Sequence, residues 1–290
     1  MMKKKFIVCL TALSTILVML SSCEKEDETE PFKQEPEINY NLKSIDFPET
    51  GIYSLDGQTF EYDNLNRVTK MISGQDYSVI YGDNLITLDL IRHNFSSYID
   101  VKGKINIHLL EDKVQKITFE TIFVGQTKNR IDRDSLTFTY DNNLLKEIKS
   151  FYSQDNRPFE NTSKIEFTHS NGNITKVKKD LFYEELISEY TYDSEKFIEN
   201  GDLVYETPLF KVLNVFSVLI KDKIGLKSKN NILTVTNSFN EEKKPHTYIS
   251  FLKYTRKFDD FGRLTSIRID GNGFNYNDVQ INNAEVVLKY

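Results

Sequence analysis

Several residue types that carry chemistry are scarce in this chain of 290 residues. It has no tryptophan and two cysteines, and its four histidines form no HxH, HxxxH or HExxH pattern, so a short zinc motif is absent. The GxSxG, SxxK, GxGxxG and P-loop motifs are also missing, which argues against serine hydrolases and against ATP or NAD sites. The sequence therefore predicts a protein that is not an enzyme and that binds no cofactor and no metal.

Positive charge is in short supply as well, with 37 Lys and Arg against 43 Asp and Glu and a formal net charge of −6. Nucleic-acid binding depends on a clustered basic face, so we expect no nucleic-acid partner. Loss of residues 1–22 would remove three lysines and no acid, which leaves a formal charge of −9.

The one long uncharged and mostly apolar run lies at the N-terminus. Lys3, Lys4 and Lys5 precede it, it covers residues 6–20, and small residues follow. A basic start, a short apolar core and small residues before a cut describe a secretory signal peptide. About 15 residues are fewer than the roughly 20 that a spanning helix needs. We therefore predict that residues 1–22 are a signal peptide.

The sequence Leu20-Ser21-Ser22-Cys23 resembles the bacterial lipobox. The resemblance implies cleavage before Cys23, diacylglycerol on its thiol and acylation of the new amine with a fatty acid such as palmitate. Two or more acyl chains hold a protein firmly to a bilayer, whereas one holds it marginally. Cys23 is thus the predicted lipidation site and the membrane a predicted partner. Because Cys9 leaves with the signal peptide, the mature chain has no free thiol for a disulfide or a cysteine–metal site.

Residues 23–39 predict an acidic flexible tether, because Glu24-Lys25-Glu26-Asp27-Glu28, Pro31 and Pro36 combine charge and proline with few apolar residues. This start also resembles the lysine-then-acids signal that sends some Bacteroidota lipoproteins to the cell surface. The resemblance implies an exported protein anchored to the outer membrane, with exposure at the cell surface left open. Residues 40–290 then form a single β-rich domain.

An internal repeat dominates that domain. Each copy has aromatic residues on alternate positions, a cluster of Asp, Asn or Gly, and aliphatic residues alternating with polar ones. The first part suits a strand with one buried face, the cluster suits a turn, and the last part suits the returning strand. One copy carries His169 near its turn, which we interpret as surface variation. The clear copies are 60–70, 138–148 and 258–267, and the weaker ones are 81–85, 167–174 and 190–193.

Similar alternation runs between the copies, as in residues 105–109, 232–239, 248–255 and 286–288. We predict an all-β fold of roughly 12 to 14 antiparallel strands, a hairpin meander that curls into a barrel or half-barrel. Residues 209–220 instead have a helical spacing of apolar side chains. With Thr207 and Pro208 before it and Gly225 after it, this stretch predicts one helix near 208–222, covering an open end or an edge of the sheet.

Two resemblances follow from these motifs. Phe258-Asp259-Asp260-Phe261-Gly262-Arg263-Leu264-Thr265 resembles the YD repeat of Rhs-type shell proteins, as does Tyr62-Asp63-Asn64-Leu65-Asn66-Arg67-Val68-Thr69 apart from one Asn in place of Gly. The chain is also similar to uncharacterised Bacteroidota lipoproteins that share the segment Gly225-Leu226-Lys227-Ser228-Lys229-Asn230-Asn231. The second resemblance implies a curled, porin-like sheet and no known activity. Charged runs such as 176–180 argue against membrane-spanning strands.

Acidic residues leave room for chemistry. Asp132-Arg133-Asp134 and Asp259-Asp260 bind Ca²⁺ only if the fold brings further oxygen ligands, and turn roles explain most other aspartates. The leading hypothesis is a non-enzymatic binding or structural module whose partner is a glycan, a peptide, an apolar molecule or an envelope protein. The alternative is a glycan-active hydrolase with a carboxylate pair inside the curled sheet. A weaker third reading is a relic of an Rhs-like shell.

Overall fold

The computed structural model of the chain describes residues 41–46, 57–73, 75–93, 100–124, 129–155, 157–181, 184–201, 203, 207, 216–226, 228–241, 248–272 and 284–290. Every described residue lies in the second of the two units into which the chain divides, residues 39–290. Cys23, the predicted signal peptide and the whole of the predicted tether lie outside the described residues.

The unit is built from sixteen antiparallel strands. Their bounds are β1 (Ser44–Asp46), β2 (Gln58–Tyr62), β3 (Val68–Ile72), β4 (Gln75–Tyr81), β5 (Leu85–His93), β6 (Asp100–Leu110), β7 (Lys113–Val124), β8 (Arg130–Asp141), β9 (Leu144–Gln154), β10 (Glu160–Ser170), β11 (Asn173–Leu181), β12 (Glu184–Lys196), β13 (Asn230–Glu241), β14 (Tyr248–Phe258), β15 (Leu264–Asn272) and β16 (Ala284–Lys289).

Each strand pairs with the next along the chain, and β1 also pairs with β16, so the sheet is a closed barrel. The all-β antiparallel meander predicted from the sequence is confirmed. Of the two predicted forms, a barrel and a half-barrel, the barrel is correct. The predicted count of 12 to 14 strands is wrong. Strand β1, which has three residues, is too short to show alternation in the sequence.

The predicted helix near 208–222 is present in its described part. Helix α1 covers Ser217–Ile220 and continues as a 3-10 turn over Lys221–Lys223. Residues 208–215, where the first turns of that helix were predicted, lie outside the described residues. Gly225 follows the turn with φ +62°, as its predicted place at the exit requires. Among the described residues, no helix is long and apolar enough to cross a membrane.

Apolar side chains alternate along the strands and point into the barrel. Residues of neighbouring strands that face each other in register, such as Leu88, Ile105 and Phe119, line the same wall. Ile107 and Ile117 pair directly, and both are fully buried. The inward-facing side chains of most strands join one continuous apolar core, and the part of the lumen that this core fills is packed as a protein interior is.

Charged side chains occupy the alternate positions and point outward. Acidic and basic residues on adjacent strands, and Lys257 and Glu285 across the intervening strand β15, form ion pairs on this face, and most of these side chains are well exposed. The pairs include Lys70 with Glu61 at 3.3 Å, Lys104 with Asp89 at 3.9 Å, Arg133 with Glu120 at 2.8 Å, Lys164 with Glu147 at 3.2 Å, Lys176 with Glu189 at 3.7 Å and Lys257 with Glu285 at 2.9 Å.

Two of the three clear repeats, 60–70 and 258–267, share one turn construction. Asp63 accepts hydrogen bonds from the backbone N–H of Leu65 and of Arg67, both at 2.9 Å, and Arg67 Nε donates to its other oxygen. Asp259 accepts the same three bonds from Phe261 and Arg263. The position before each arginine is left-handed, with φ 59° at Asn66 and 75° at Gly262, which explains why Asn replaces Gly there.

A second regular feature ties each of these hairpins to the strand before it. The side chain just before or near the turn hydrogen-bonds a backbone carbonyl at the start of the preceding strand, so one end of the barrel carries a ring of such bonds. His169 belongs to this ring, so its interpretation as surface variation is wrong. The pairs are Tyr62 with Leu42, Tyr140 with Val114, His169 with Leu145, Tyr192 with Ile174 and Arg256 with Ile232.

The described residues of the connection between β12 and β13 lie at this same end, and we call them the plug (197–201, 203, 207, 216–226 and 228–229). Its side chains at Leu203, Leu219, Ile220, Ile224 and Leu226 are buried in the barrel core. The ring of Phe216 lies 6.2 Å from that of Tyr77 and 5.9 Å from that of Phe119, both on the inner wall. The plug therefore packs inside the barrel and not merely across its mouth.

Candidate functional site

A cleft of about 680 Å³ opens at the plugged end. It lies between the turns that follow β2, β4 and β6 on one side and α1 with its 3-10 turn on the other. Its volume falls within the range of about 300–1,000 Å³ that small-molecule sites occupy. The repeat motif supplies one wall of the cleft and the plug supplies the other.

The floor of the cleft is apolar and rigid. Its side chains belong to the barrel core or pack against it, so they are held in place by the packing beneath them. The strands and the plug both contribute side chains, so the floor lies where the plug packs against the barrel. These residues are Leu42, Val68, Ile86, Leu109, Val218 and Leu219.

Two tyrosines of the repeat stand in the wall. The Tyr62 hydroxyl donates to the carbonyl of Leu42 at 2.8 Å, and the Tyr81 hydroxyl bonds the backbone of Val68. Burial raises the pKa of Tyr62 to about 12 against the opposing effect of its bond to Leu42, so its side chain is neutral at physiological pH. The guanidinium of Arg67 lies over the Tyr81 ring, 4.9 Å from its centre. Both rings are therefore fixed and uncharged.

The rim of the cleft is polar and its charges are mostly paired. Arg67 pairs with Asp63 at 2.8 Å, Lys221 pairs with Glu199, and Lys223 pairs with Asp112. Lys221 also donates to Asn200 at 2.8 Å. Each of the three cations of the rim is thus already held by a carboxylate. Asn41, Asn66, Asp83 and Asp222 complete the rim.

A separate acidic pair lies on the inner wall of β8. Asp134 faces Phe119 and Tyr152 in register, and Asp132 faces Thr121 and Gln154. Bonds from Arg130, at 2.9 and 2.6 Å, are the largest influence that lowers the pKa of Asp132. Burial first, and then the charge of Asp132, raises the pKa of Asp134. The pKa values of these two inward-facing carboxyl groups, which are two residues apart in the sequence, are therefore shifted in opposite directions.

Among the described residues, no group of side chains suited to calcium gathers at either acidic motif. Asp259 is bound by Arg263 and by turn amides, and Asp132 is bound by Arg130. Across the described ranges, no three His, Cys, Asp or Glu side chains meet as a metal site.

The plug residues of the cleft were missed by sequence reasoning, which placed the plug but not its contacts. One signal was available in the segment 225–231, named above only as a shared motif. Leu145 N–H donates to Gly225 carbonyl at 3.3 Å, and Lys229 N–H donates to Gly172 carbonyl at 2.9 Å. Asn231 accepts from Ile198 N–H at 2.7 Å. The segment therefore fastens the plug to the rim and fixes the far side of the cleft.

Comparison with known proteins bears on the fold. No model of a protein family matches the chain, and no curated protein matches it. Among solved structures, the chain is similar to a porin-like protein from Bacteroides uniformis ATCC 8492, with a TM-score of 0.54 and 12% sequence identity. The match covers 87% of this chain and 98% of that chain. The two proteins share a porin-like β-barrel architecture.

Proposed function

We propose that the chain is a lipid-anchored protein of the outer membrane that acts as a non-enzymatic binding module. One observation carries the proposal, the distribution of polarity across the barrel wall. Membrane porins have an apolar outer band and a polar, water-filled interior. Here the interior is an apolar core to which the plug contributes side chains, so the barrel serves as a scaffold and not as a channel. The cleft at the plugged end is the place that it offers to a ligand.

The same observation explains the need for a lipid anchor. A lysine or arginine on a lipid-facing wall costs roughly 2–4 kcal/mol at the bilayer midplane, and this outer wall carries such residues on many strands. The outer wall of the barrel is therefore suited to contact with water, and the lipid on Cys23 attaches the protein to the membrane. Asn41, the first described residue, lines the cleft.

Fractionation of the envelope tests the anchor. The Cys23→Ala variant should leave the membrane fraction, because no other thiol of the mature chain can take diacylglycerol. Cys9→Ala is the matched control, since Cys9 is predicted to leave with the signal peptide, and it should stay with the membrane. Firm membrane attachment of Cys23→Ala would overturn the anchored role.

The acidic pair on β8 favours a second candidate, a hydrolase of glycans. A carboxylic acid and a carboxylate with separated pKa values are the groups that such hydrolysis needs, and Asp134 and Asp132 have this relation. Release of reducing ends from oligosaccharides, lost in Asp134→Asn, would support it. Absence of release, or release that survives this substitution and Asp132→Asn, would remove it.

A further inference from the structure

The charges of the cleft restrict the kind of ligand that it can take. An anionic ligand has to displace Asp63, Glu199 or Asp112 from the cations that they hold, while the exposed carboxylate of Asp83 repels it. A wholly apolar ligand would cover these groups without bonding them, and burying polar groups unbonded is costly. A hydroxyl group both donates and accepts. It can therefore join the existing ion pairs without breaking them.

The wall and the floor favour a ligand that also has an apolar face. The rings of Tyr62 and Tyr81 are held by backbone hydrogen bonds, so no ordering of these side chains opposes binding. Their hydroxyls are engaged, and the rings present carbon surface above a floor that includes Leu42 and Ile86. A ring with hydroxyl groups at its edge and C–H groups on its face matches both surfaces.

An extended peptide fits this end of the barrel less well. Peptides commonly bind to such sheets by adding a strand to an exposed edge. The closed barrel has no such edge, because β1 pairs with both β2 and β16. Recognition at the cleft has to come from side chains, as recognition of a sugar does.

We propose that the cleft binds a neutral oligosaccharide, with its sugar rings against Tyr81 and Tyr62 and its hydroxyls on the carboxylate of Asp83 and on the paired charges and amides of the rim. This proposal names the ligand class of the binding module proposed above and rests on that function.

The test is binding of the purified mature chain, in a detergent without sugar groups, to an array of neutral oligosaccharides beside uronic and sulfated oligosaccharides of equal length. Neutral oligosaccharides should bind preferentially. Tyr81→Leu should weaken their binding by about tenfold, since an aromatic contact is lost. Asp83→Ala, at an exposed turn, should weaken it by about threefold. Tyr140→Leu is the matched control, because Tyr140 has the same place in its repeat and does not line the cleft.

Each outcome decides a separate question. Absence of neutral oligosaccharide binding, a preference for the anionic probes, or neutral binding that Tyr81→Leu and Asp83→Ala leave unchanged would overturn the neutral-sugar assignment. If Tyr81→Leu does not fold, Asp83→Ala decides alone. Anionic probes bound at the cleft would leave the binding module in place and change its ligand. Failure of the anchored role is seen independently, in the fractionation of Cys23→Ala.

Discussion

The inner and outer walls of the barrel differ in chemistry although they belong to the same strands. On β5, Leu88 is fully buried, whereas its neighbour Asp89 points outward and pairs with Lys104. Alternation of this kind is expected for a sheet with one face in a core and the other in water. In a membrane porin the two walls have the opposite polarity. Strand number and closure therefore give the shape of a porin, while the side chains decide which solvent each wall faces.

The energies of the two walls differ as much as their polarity. Truncation of a buried leucine or isoleucine costs about 2–5 kcal/mol, because apolar burial is lost and a cavity remains. An exposed ion pair contributes about 0–1 kcal/mol. Stability should therefore reside in the inner wall and the plug, and the outer wall should tolerate substitution.

The largest effect is expected when the apolar and charged side chains of the two walls are exchanged on β5. Leu88→Asp buries an unpaired carboxylate and should lower the free energy of unfolding by more than about 4 kcal/mol. Asp89→Leu, the matched control, loses only the pair with Lys104 at 3.9 Å and should change the free energy of unfolding by less than about 1 kcal/mol. Denaturant unfolding measures both. Similar losses for the two variants would contradict the assignment of the walls.

The next largest effect is expected where the plug meets the rim. Gly225 has φ +62°, and a Cβ there would lie 2.4 Å from the Asn143 carbonyl oxygen. Gly225→Ala should cost about 3 kcal/mol or more, because backbone has to move. Gly262→Ala has a similar φ of +75° with no atom near the added methyl group, and should cost about 1 kcal/mol. Equal losses in thermal unfolding would mean that the plug does not press on the barrel as described.

A smaller effect is expected in the ring of bonds at that end. Tyr62→Phe removes the bond to Leu42 and should cost about 1 kcal/mol at neutral pH. A tyrosine whose folded pKa is raised to about 12 stabilises the fold below its unfolded value near 10 and loses this contribution as pH rises toward 12. Tyr62→Phe should therefore flatten the alkaline loss of stability, measured by denaturant unfolding from pH 9 to about 12. An unchanged alkaline slope would contradict the burial that raises the pKa of Tyr62.

The smallest effect concerns the polar part of the inner wall. The folded pKa of Asp134 is raised, so its contribution is present below the unfolded value and is lost as pH rises through the folded value. Asp134→Asn should therefore be more stable than the native chain at neutral pH. Asp132 has a lowered pKa, so Asp132→Asn should be less stable there. Thermal unfolding at pH 7 compares the stabilities of the two variants with that of the native chain. A stability change of the same sign in both variants would refute the opposite pKa shifts.

Much of the fold could be predicted because the repeat is a local signal. A hairpin such as β2–β3 needs only alternation and a turn, and Asp63, Asn66 and Arg67 supply the turn within five residues of each other. Closure could not be predicted in the same way. It depends on β1, three residues long, pairing with β16 about 240 residues later, and no local pattern marks such a strand.

The cleft was beyond sequence reasoning for a related reason. Tyr62 and Tyr81 were recognised as repeat aromatics, but Lys221 and Lys223 reach the same cleft from the plug. Glu199, the partner of Lys221, lies far from it in the sequence, and Asp112, the partner of Lys223, lies on another hairpin. The donors His169 and Arg256 were missed because the ring needs a donor at that place and not a particular residue type.

The central claim is that the barrel has a core inside and water outside. Single cysteines test it most directly, because Cys9 and Cys23 are the two cysteines of the chain and both precede residue 41, where the described residues begin. In isolated membranes, a water-soluble maleimide should label Lys104→Cys, Lys176→Cys and Lys257→Cys, which lie on different strands of the outer wall. Ile107→Cys and Ile117→Cys, on the inner wall, should react only after denaturation. An outer wall shielded from this reagent and open to a lipid-soluble one, with a reactive inner wall, would contradict the account and indicate a membrane pore.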